Sequence, residues 1–301
     1  MPVTGQTNPE LFPKFYDRKL LAYLKENLVA LRFAQRRELP QNSGREVVFT
    51  RFEPLPPNPE PITFKPTPSE GKSFSTTQIS VTVEEYGDYM DLDEFTDVTS
   101  FVPLLSEAVD QLAYQAQRTL DYLTMKEITS GTNVMFPNGK TAATDLTADD
   151  KLTKELIRQA VANLKRNLIP PFPDGYYRCF IHPDKVNDLF SVEDLINLQI
   201  ANASGKPAES GTVAQFGGVK FIETTTVPTE VVTNSNNEQI TVYKTVIFGQ
   251  NAYGMVDING RSVQMVYTNL DKLQRVKTVG WKAYFAAKRL YEPAIVRIET
   301  A

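Results

Sequence analysis

The single histidine of the chain, His182, and its single cysteine, Cys179, stand three residues apart in Cys179-Phe-Ile-His182. A C-x-x-H pair can give two ligands to zinc, but a tetrahedral site wants more nitrogen or sulfur donors, so carboxylates would have to complete it. A Ser-His-Asp or Cys-His nucleophile would have to use His182 itself. At the end of an apolar run and directly before Pro183, His182 reads more simply as a strand-to-helix turn residue. Asn138-Gly-Lys-Thr141 has the last letters of a phosphate-binding loop, yet Val134 stands where the earlier glycine belongs. Gly217-Gly218 and Gly249 do not complete G-x-G-x-x-G either. These residues predict no catalytic centre, no metal and no nucleotide cofactor.

Carboxylates are the remaining candidates. Residues 84–97 hold seven Asp and Glu and no base. Asp88, Asp91, Asp93, Glu94 and Asp97 could form a metal loop or a glycosidase pair. A calcium loop needs a central glycine and a glutamate at its twelfth place, and a glycosidase pair is defined only by its separation in space. An acidic surface facing a basic neighbour explains the run better. Residues 14–51 have nine Lys and Arg against four acids, a net of +5. The basic helix expected at 14–37 within it suits a solvated or subunit-facing role, with nucleic acid as the other candidate. Over its 301 residues the chain is net −4, which excludes a nucleic-acid binder that works by bulk positive charge.

A composition of 41% hydrophobic and 23% charged residues favours a folded chain over a disordered one. One cysteine cannot form an intrachain disulfide, so folding asks for no oxidising compartment. No run approaches the ~20 apolar residues of a membrane span, and the N-terminus lacks the pattern of a secretion signal.

The elements that must position these residues follow from periodicity. Residues 14–38 predict an amphipathic helix, with Leu20, Tyr23, Leu24, Leu28 and Leu31 on one face and Pro40 and Gly44 ending it. Residues 54–68 hold seven of the 20 prolines and must be extended. Residues 76–86 alternate as a half-buried strand with Ile79, Val81 and Val83 inward. Thr99 or Ser100 is expected to cap a helix of about 27 residues, roughly 40 Å, with the stripe Leu105, Val109, Leu112, Ala116, Leu120, Leu123 and Ile128. A second helix is expected after Thr147 and Asp150, with Leu152, Ile157, Val161, Leu164 and Leu168 inward and Pro170-Pro171 as its stop. Residues 176–181 and 219–222 read as strands, 183–202 as short helix, and 230–233 with 239–248 as a hairpin around the polar 234–238. Asn259-Gly260 predicts a second hairpin between 255–258 and 262–267 through a type I′ turn. The last 25 residues read as strand. The class is α+β.

A series of strings runs along the chain: Leu39-Pro-Gln-Asn-Ser-Gly44 leading to Phe49-Thr-Arg-Phe52, then Val83-Glu-Glu-Tyr-Gly-Asp-Tyr89 and Leu105-Ser-Glu-Ala-Val109. Phe180-Ile-His-Pro183, Phe216-Gly-Gly-Val-Lys-Phe-Ile-Glu223, Ile247-Phe-Gly-Gln-Asn-Ala-Tyr-Gly254 and Thr278-Val-Gly-Trp-Lys-Ala-Tyr284 follow. In this order they resemble the major capsid proteins of tailed phages, the Hong Kong 97-like fold, and in particular the phage N-four type coat proteins. The resemblance implies an N-terminal arm at 1–45, an extended β-hairpin loop at 46–85, a peripheral domain with a long spine helix at 86–144 and 256–301, and an axial domain at 145–255.

It further implies a non-enzymatic, self-assembling shell of hexamers and pentamers around double-stranded DNA, located in the virion and assembled in the host cytoplasm. The implied partners are packaged DNA by non-specific contact and separate portal, scaffolding or decoration proteins, with no membrane. The alternatives are an encapsulin-like compartment on the same fold and, from another class, a carbohydrate-active enzyme using the acidic run. Subunit contacts are expected at Leu55, Ile62 and Phe64 in the proline-rich tip and at Asp88 and Asp91 in the acidic run.

Overall fold

The computed structural model describes residues 29–40, 42–53, 55, 57–59, 73–100, 104–189, 212–258, 263–269, 273 and 275–301. In chain order the elements are β1 (Gln35–Leu39), β2 (Glu46–Phe52), β3 (Thr76–Thr82), β4 (Glu84–Asp93), α1 (Glu94–Thr99) and α2 (Leu104–Thr129). They continue with β5 (Val134–Met135), α3 (Lys154–Arg166), β6 (Tyr177–Ile181), α4 (Pro183–Leu189), β7 (Thr212–Phe216) and β8 (Val219–Glu223). Last come β9 (Thr229–Thr233), β10 (Gln239–Phe248), β11 (Tyr253–Ile258), β12 (Gln264–Asn269), β13 (Val276–Arg289) and β14 (Ile295–Thr300).

One sheet is organised around β13, the longest strand. β4 pairs antiparallel along one edge of it from Val276↔Asp93 to Phe285↔Glu84. On the other edge β12 covers residues 277–282 and β11 covers 285–289, both antiparallel to β13. β11 and β12 therefore run in the same direction, and the hairpin expected around Asn259-Gly260 does not form between them. β1 adds to β11 as a parallel neighbour. Here lies a second correction: residues 35–39, expected as the end of a helix, are strand, because the free edge of β11 offers them a ladder of backbone partners. The remainder of that expected helix up to residue 28 lies outside the described residues.

The 26-residue helix α2 crosses one face of this sheet. Val109, Leu112, Ala113, Ala116 and Leu120 pack there against Val279, Trp281, Ala283 and Phe285. At three- and four-residue spacing, the apolar stripe read from the sequence is the buried one. Its expected cap is not: Thr99 ends α1, and the Ser100 N–H closes that helix on the Thr96 carbonyl.

The second sheet runs β5-β14-β10-β6-β8-β7, with β9 on β10. All five residues of β6 are buried, as a central strand requires, and its one charged residue, Arg178, pairs with Asp174 at 2.9 Å. α3 covers one face with Leu156, Ile157, Ala160, Val161 and Leu164, and its N-cap is Thr153, whose hydroxyl accepts the Leu156 N–H. Leu168 leaves the expected stripe: it adopts φ 57° in the turn that ends the helix and is exposed, while Ile169 goes inward. Gly217 and Gly218, both at positive φ, turn β7 into β8. β2 and β3 form a separate two-stranded ribbon, from Glu46↔Thr82 to Phe52↔Thr76. Among the described residues no helix is long and apolar enough to cross a membrane.

Candidate assembly surface

The β2–β3 ribbon alternates as strands must, with one face inward and one outward. Its inward residues Phe49 and Val81, with Val83 just beyond, pack on Leu39, Val256 and Leu290 of the first sheet. Two cations hold this seat: the Arg37 guanidinium lies 5.7 Å from the Phe49 ring, and that of Arg51 lies 3.8 Å from the ring of Tyr291. The outward residues have no such cover. Phe52 and Phe74 meet edge to face at 6.2 Å and are 66% and 77% exposed. Leu55, just past the end of β2, is half-exposed. Ile62 and Phe64 lie outside the described residues.

The acidic run forms β4 and α1 rather than a loop. Gln115 Nε2 on α2 donates to Asp88 Oδ2 at 2.5 Å, and Trp281 Nε1 donates to Gln115 Oε1 at 3.1 Å. That amide, helped by the Tyr89 backbone N–H, holds the Asp88 carboxyl below its usual range. Thr278 Oγ1 donates to Asp91 Oδ1 at 2.5 Å. Asp93 caps α1 by accepting the Thr96 N–H at 3.0 Å, and Glu94 has Lys277 at 3.8 Å. Glu84 accepts the Tyr86 hydroxyl at 2.7 Å; burial first and this contact second push that phenol up to about 12. The run thus has an internal base in Lys277 and several structural duties. Asp88 and Asp91 remain exposed.

Asp88 reaches towards α2, whereas beside Asp91 the outer face of the sheet is open. A Cβ on Gly280 would come within 2.9 Å of Tyr89 Cβ and of the Asp88 carbonyl, so only glycine lets the strands and the Tyr89 side chain approach this closely. A shallow groove of about 520 Å³ results, lined by Tyr89, Asp91, Val266, Thr268, Thr278 and Gly280. Past the end of β4, α1 exposes Phe95 and Val98. Exposed rings beside carboxylates make a surface suited to another protein.

The residues with the chemistry of a site are occupied otherwise. Cys179 is buried in β6, and burial pushes its thiol far up, out of reach of thiolate chemistry. His182 sits where β6 turns into α4; its Nδ1 accepts the Asp184 N–H at 3.3 Å and its ring lies 5.0 Å from that of Tyr243. Among the described residues no group of three His, Cys, Asp or Glu is placed to hold a metal. The Asn138-Gly-Lys-Thr turn is a lock on Asp150, which accepts from Asn138 Nδ2 at 2.7 Å, the Thr147 N–H at 2.7 Å and the Lys140 ammonium. Burial alone would raise the Asp150 carboxyl, but these donors hold it at about 2.

Sequence reasoning missed Asp121, which is buried on α2 directly after Leu120. Its Oδ1 accepts the Ala30 N–H at 2.9 Å and its Oδ2 the Thr226 hydroxyl at 2.6 Å. An acid next to an apolar stripe position was the available signal.

Residues 76–298 match the sequence model of the phage capsid protein family. Among solved structures, the capsid of Ralstonia phage GP4 aligns with TM-score 0.72 at 15% identity, covering 89% of this chain and 87% of that chain. The capsid asymmetric unit of cyanophage Pam1 aligns with TM-score 0.65 at 13% identity, covering 91% and 93%. The capsid of cyanophage P-SCSP1u gives TM-score 0.63 at 13% identity, covering 89% and 86%. No curated protein matches the chain.

Proposed function

The chain belongs to the phage capsid protein family, and we propose that its copies close the icosahedral shell of a tailed-phage head around double-stranded DNA. The observation that carries this reading is the β2–β3 ribbon, seated at its base and exposing Phe52, Phe74 and Leu55 beyond it. Large rings left wet in one subunit become favourable when another subunit covers them, at ~25 cal/mol per Å² of apolar surface. In this reading residues 46–85 are the extended loop, residues 1–45 the arm, 86–144 with 256–301 the peripheral domain and 145–255 the axial domain. Two legs of ~20 residues at about 3.3 Å each reach on the order of 60 Å, enough to lie across an adjacent subunit. Leu55, Ile62 and Phe64 contact that neighbour, while Asp88 and Asp91 meet its basic surface. Rings of heterologous contacts give hexamers and pentamers, and many weak contacts per copy give collective stability.

The chain acts as a structural protein of the virion, assembled in the host cytoplasm, without catalytic residue or cofactor; portal, scaffolding or decoration proteins are separate chains. The family match favours this over an encapsulin-like compartment and over a carbohydrate-active enzyme. Replacing residues 54–72 with a short Gly-Ser turn tests it. The expected product is a soluble, cooperatively folding subunit that no longer closes shells. A chain that still builds normal particles, or one that cannot fold, would refute the projecting-loop role.

A further inference from the structure

The face of α2 turned away from the sheet carries Tyr114, Arg118, Tyr122 and Lys126 at intervals of four residues, so they stand in one line about 18 Å long. The tyrosines are 48% and 54% exposed, and Arg118 and Lys126 are exposed as well. Gln111 and Gln115 flank them. Two acids of the helix, Glu107 and Asp110, stand before Tyr114, Asp110 one turn ahead of it in the same row; the other nearby acids are turned elsewhere. Asp121 is buried against Ala30 and Thr226, Glu127 faces Lys288 at 3.4 Å, and Asp88 is held by Gln115. Among the described residues no carboxylate lies within ion-pair distance of Arg118 or Lys126. From residue 111 to residue 126 the exposed charged side chains of the helix are Arg118 and Lys126 alone, on a chain of net charge −4. α3 also exposes cations, but Glu155 interrupts them and its Arg158 lies against the Phe216 ring at 5.4 Å.

We infer that this line on α2 is a sequence-independent contact for the phosphate backbone of duplex DNA. Arg118 and Lys126 neutralise phosphates, while the Tyr114 and Tyr122 hydroxyls donate to phosphate oxygens. The inference rests on the proposed shell for the origin of the duplex; its test needs only the unassembled full-length chain.

Binding of a fluorescent 20-base-pair duplex of random sequence is measured by anisotropy across a salt series. Each neutralised phosphate contributes about −0.9 to the slope of log K against log salt. Arg118→Gln with Lys126→Gln should make that slope shallower by about 1.8 and weaken binding roughly tenfold at low salt, whatever the sequence. Arg158→Gln with Lys165→Gln on α3 should leave the slope unchanged. Circular dichroism checks that both variants fold, and Arg118→Glu provides a second disruption. The assignment fails if the α2 pair leaves the slope unchanged, if both pairs lower it equally, or if the wild-type chain binds poly-glutamate but not the duplex. The last outcome would point to an acidic protein partner. Shell formation by the α2 pair is scored separately, so failure of assembly and failure of DNA contact are distinguishable.

Discussion

The Ala30 N–H and the Asp121 carboxylate meet at 2.9 Å across 91 residues of chain, and the Tyr253 hydroxyl closes on the Ala30 carbonyl at 2.5 Å. With Thr226 on its other oxygen, Asp121 ties the segment before β1, the long helix and the loop before β9 into one buried node. Burial raises this carboxyl, against the pull of its two donors. The charge is therefore a cost and the acceptor oxygens are the benefit.

Asp121→Ala strands a buried amide donor and should cost about 1–3 kcal/mol. It should also expose the chain near residue 30 to protease. Asp121→Asn keeps an acceptor and sheds the charge, so its stability at neutral pH should equal or exceed that of the wild type. Denaturant unfolding of the two variants checks this; an Asn variant as unstable as the Ala one would contradict it.

Asp150 and Asp174 set the acid limit of the subunit. Burial raises both carboxyls, but Lys140, Thr147 and Asn138 around Asp150, and Arg178 and Lys220 around Asp174, hold each at about 2. A carboxyl lowered by folding stabilises the native state above its unfolded value near 4 and loses that contribution as pH falls through 2. Asp121, being raised, acts in the opposite sense: its burial weighs less as it takes up a proton. Stability should stay nearly level from pH 7 to about 4 and then fall steeply. Asp150→Asn should lower neutral-pH stability by about 1–2 kcal/mol and flatten that fall, as read by thermal unfolding across pH.

Asp88→Lys with Asp91→Lys should leave the subunit folded, because both side chains are exposed. Assembly should slow or stop, most visibly at low salt, where screening is weakest. Light scattering during assembly measures it. Normal shell yield at low salt would place the charged interface elsewhere.

Legibility followed the range of the forces involved. α2 was readable because its apolar stripe is local, and β6, β8, β9 and β10 because their runs were bounded by turn residues. β1 was misread since its partner, β11, is more than two hundred positions away, and only that edge makes residues 35–39 a strand. The 255–267 segment failed for a similar reason. Asn-Gly is a strong local hairpin signal, but β13 pairs with both flanking strands and overrides it. Of the expected contact residues, Leu55, Asp88 and Asp91 are exposed, yet nothing local revealed that Gln115 and Thr278 would engage the two carboxylates.

Electron microscopy of the purified full-length chain tests the central claim most directly. The account predicts closed particles whose walls resolve into hexamers and pentamers, with the proline-rich segment 54–68 of each copy buried against its neighbour. A folded chain that stays monomeric or dimeric and forms no closed particle at any concentration would contradict it.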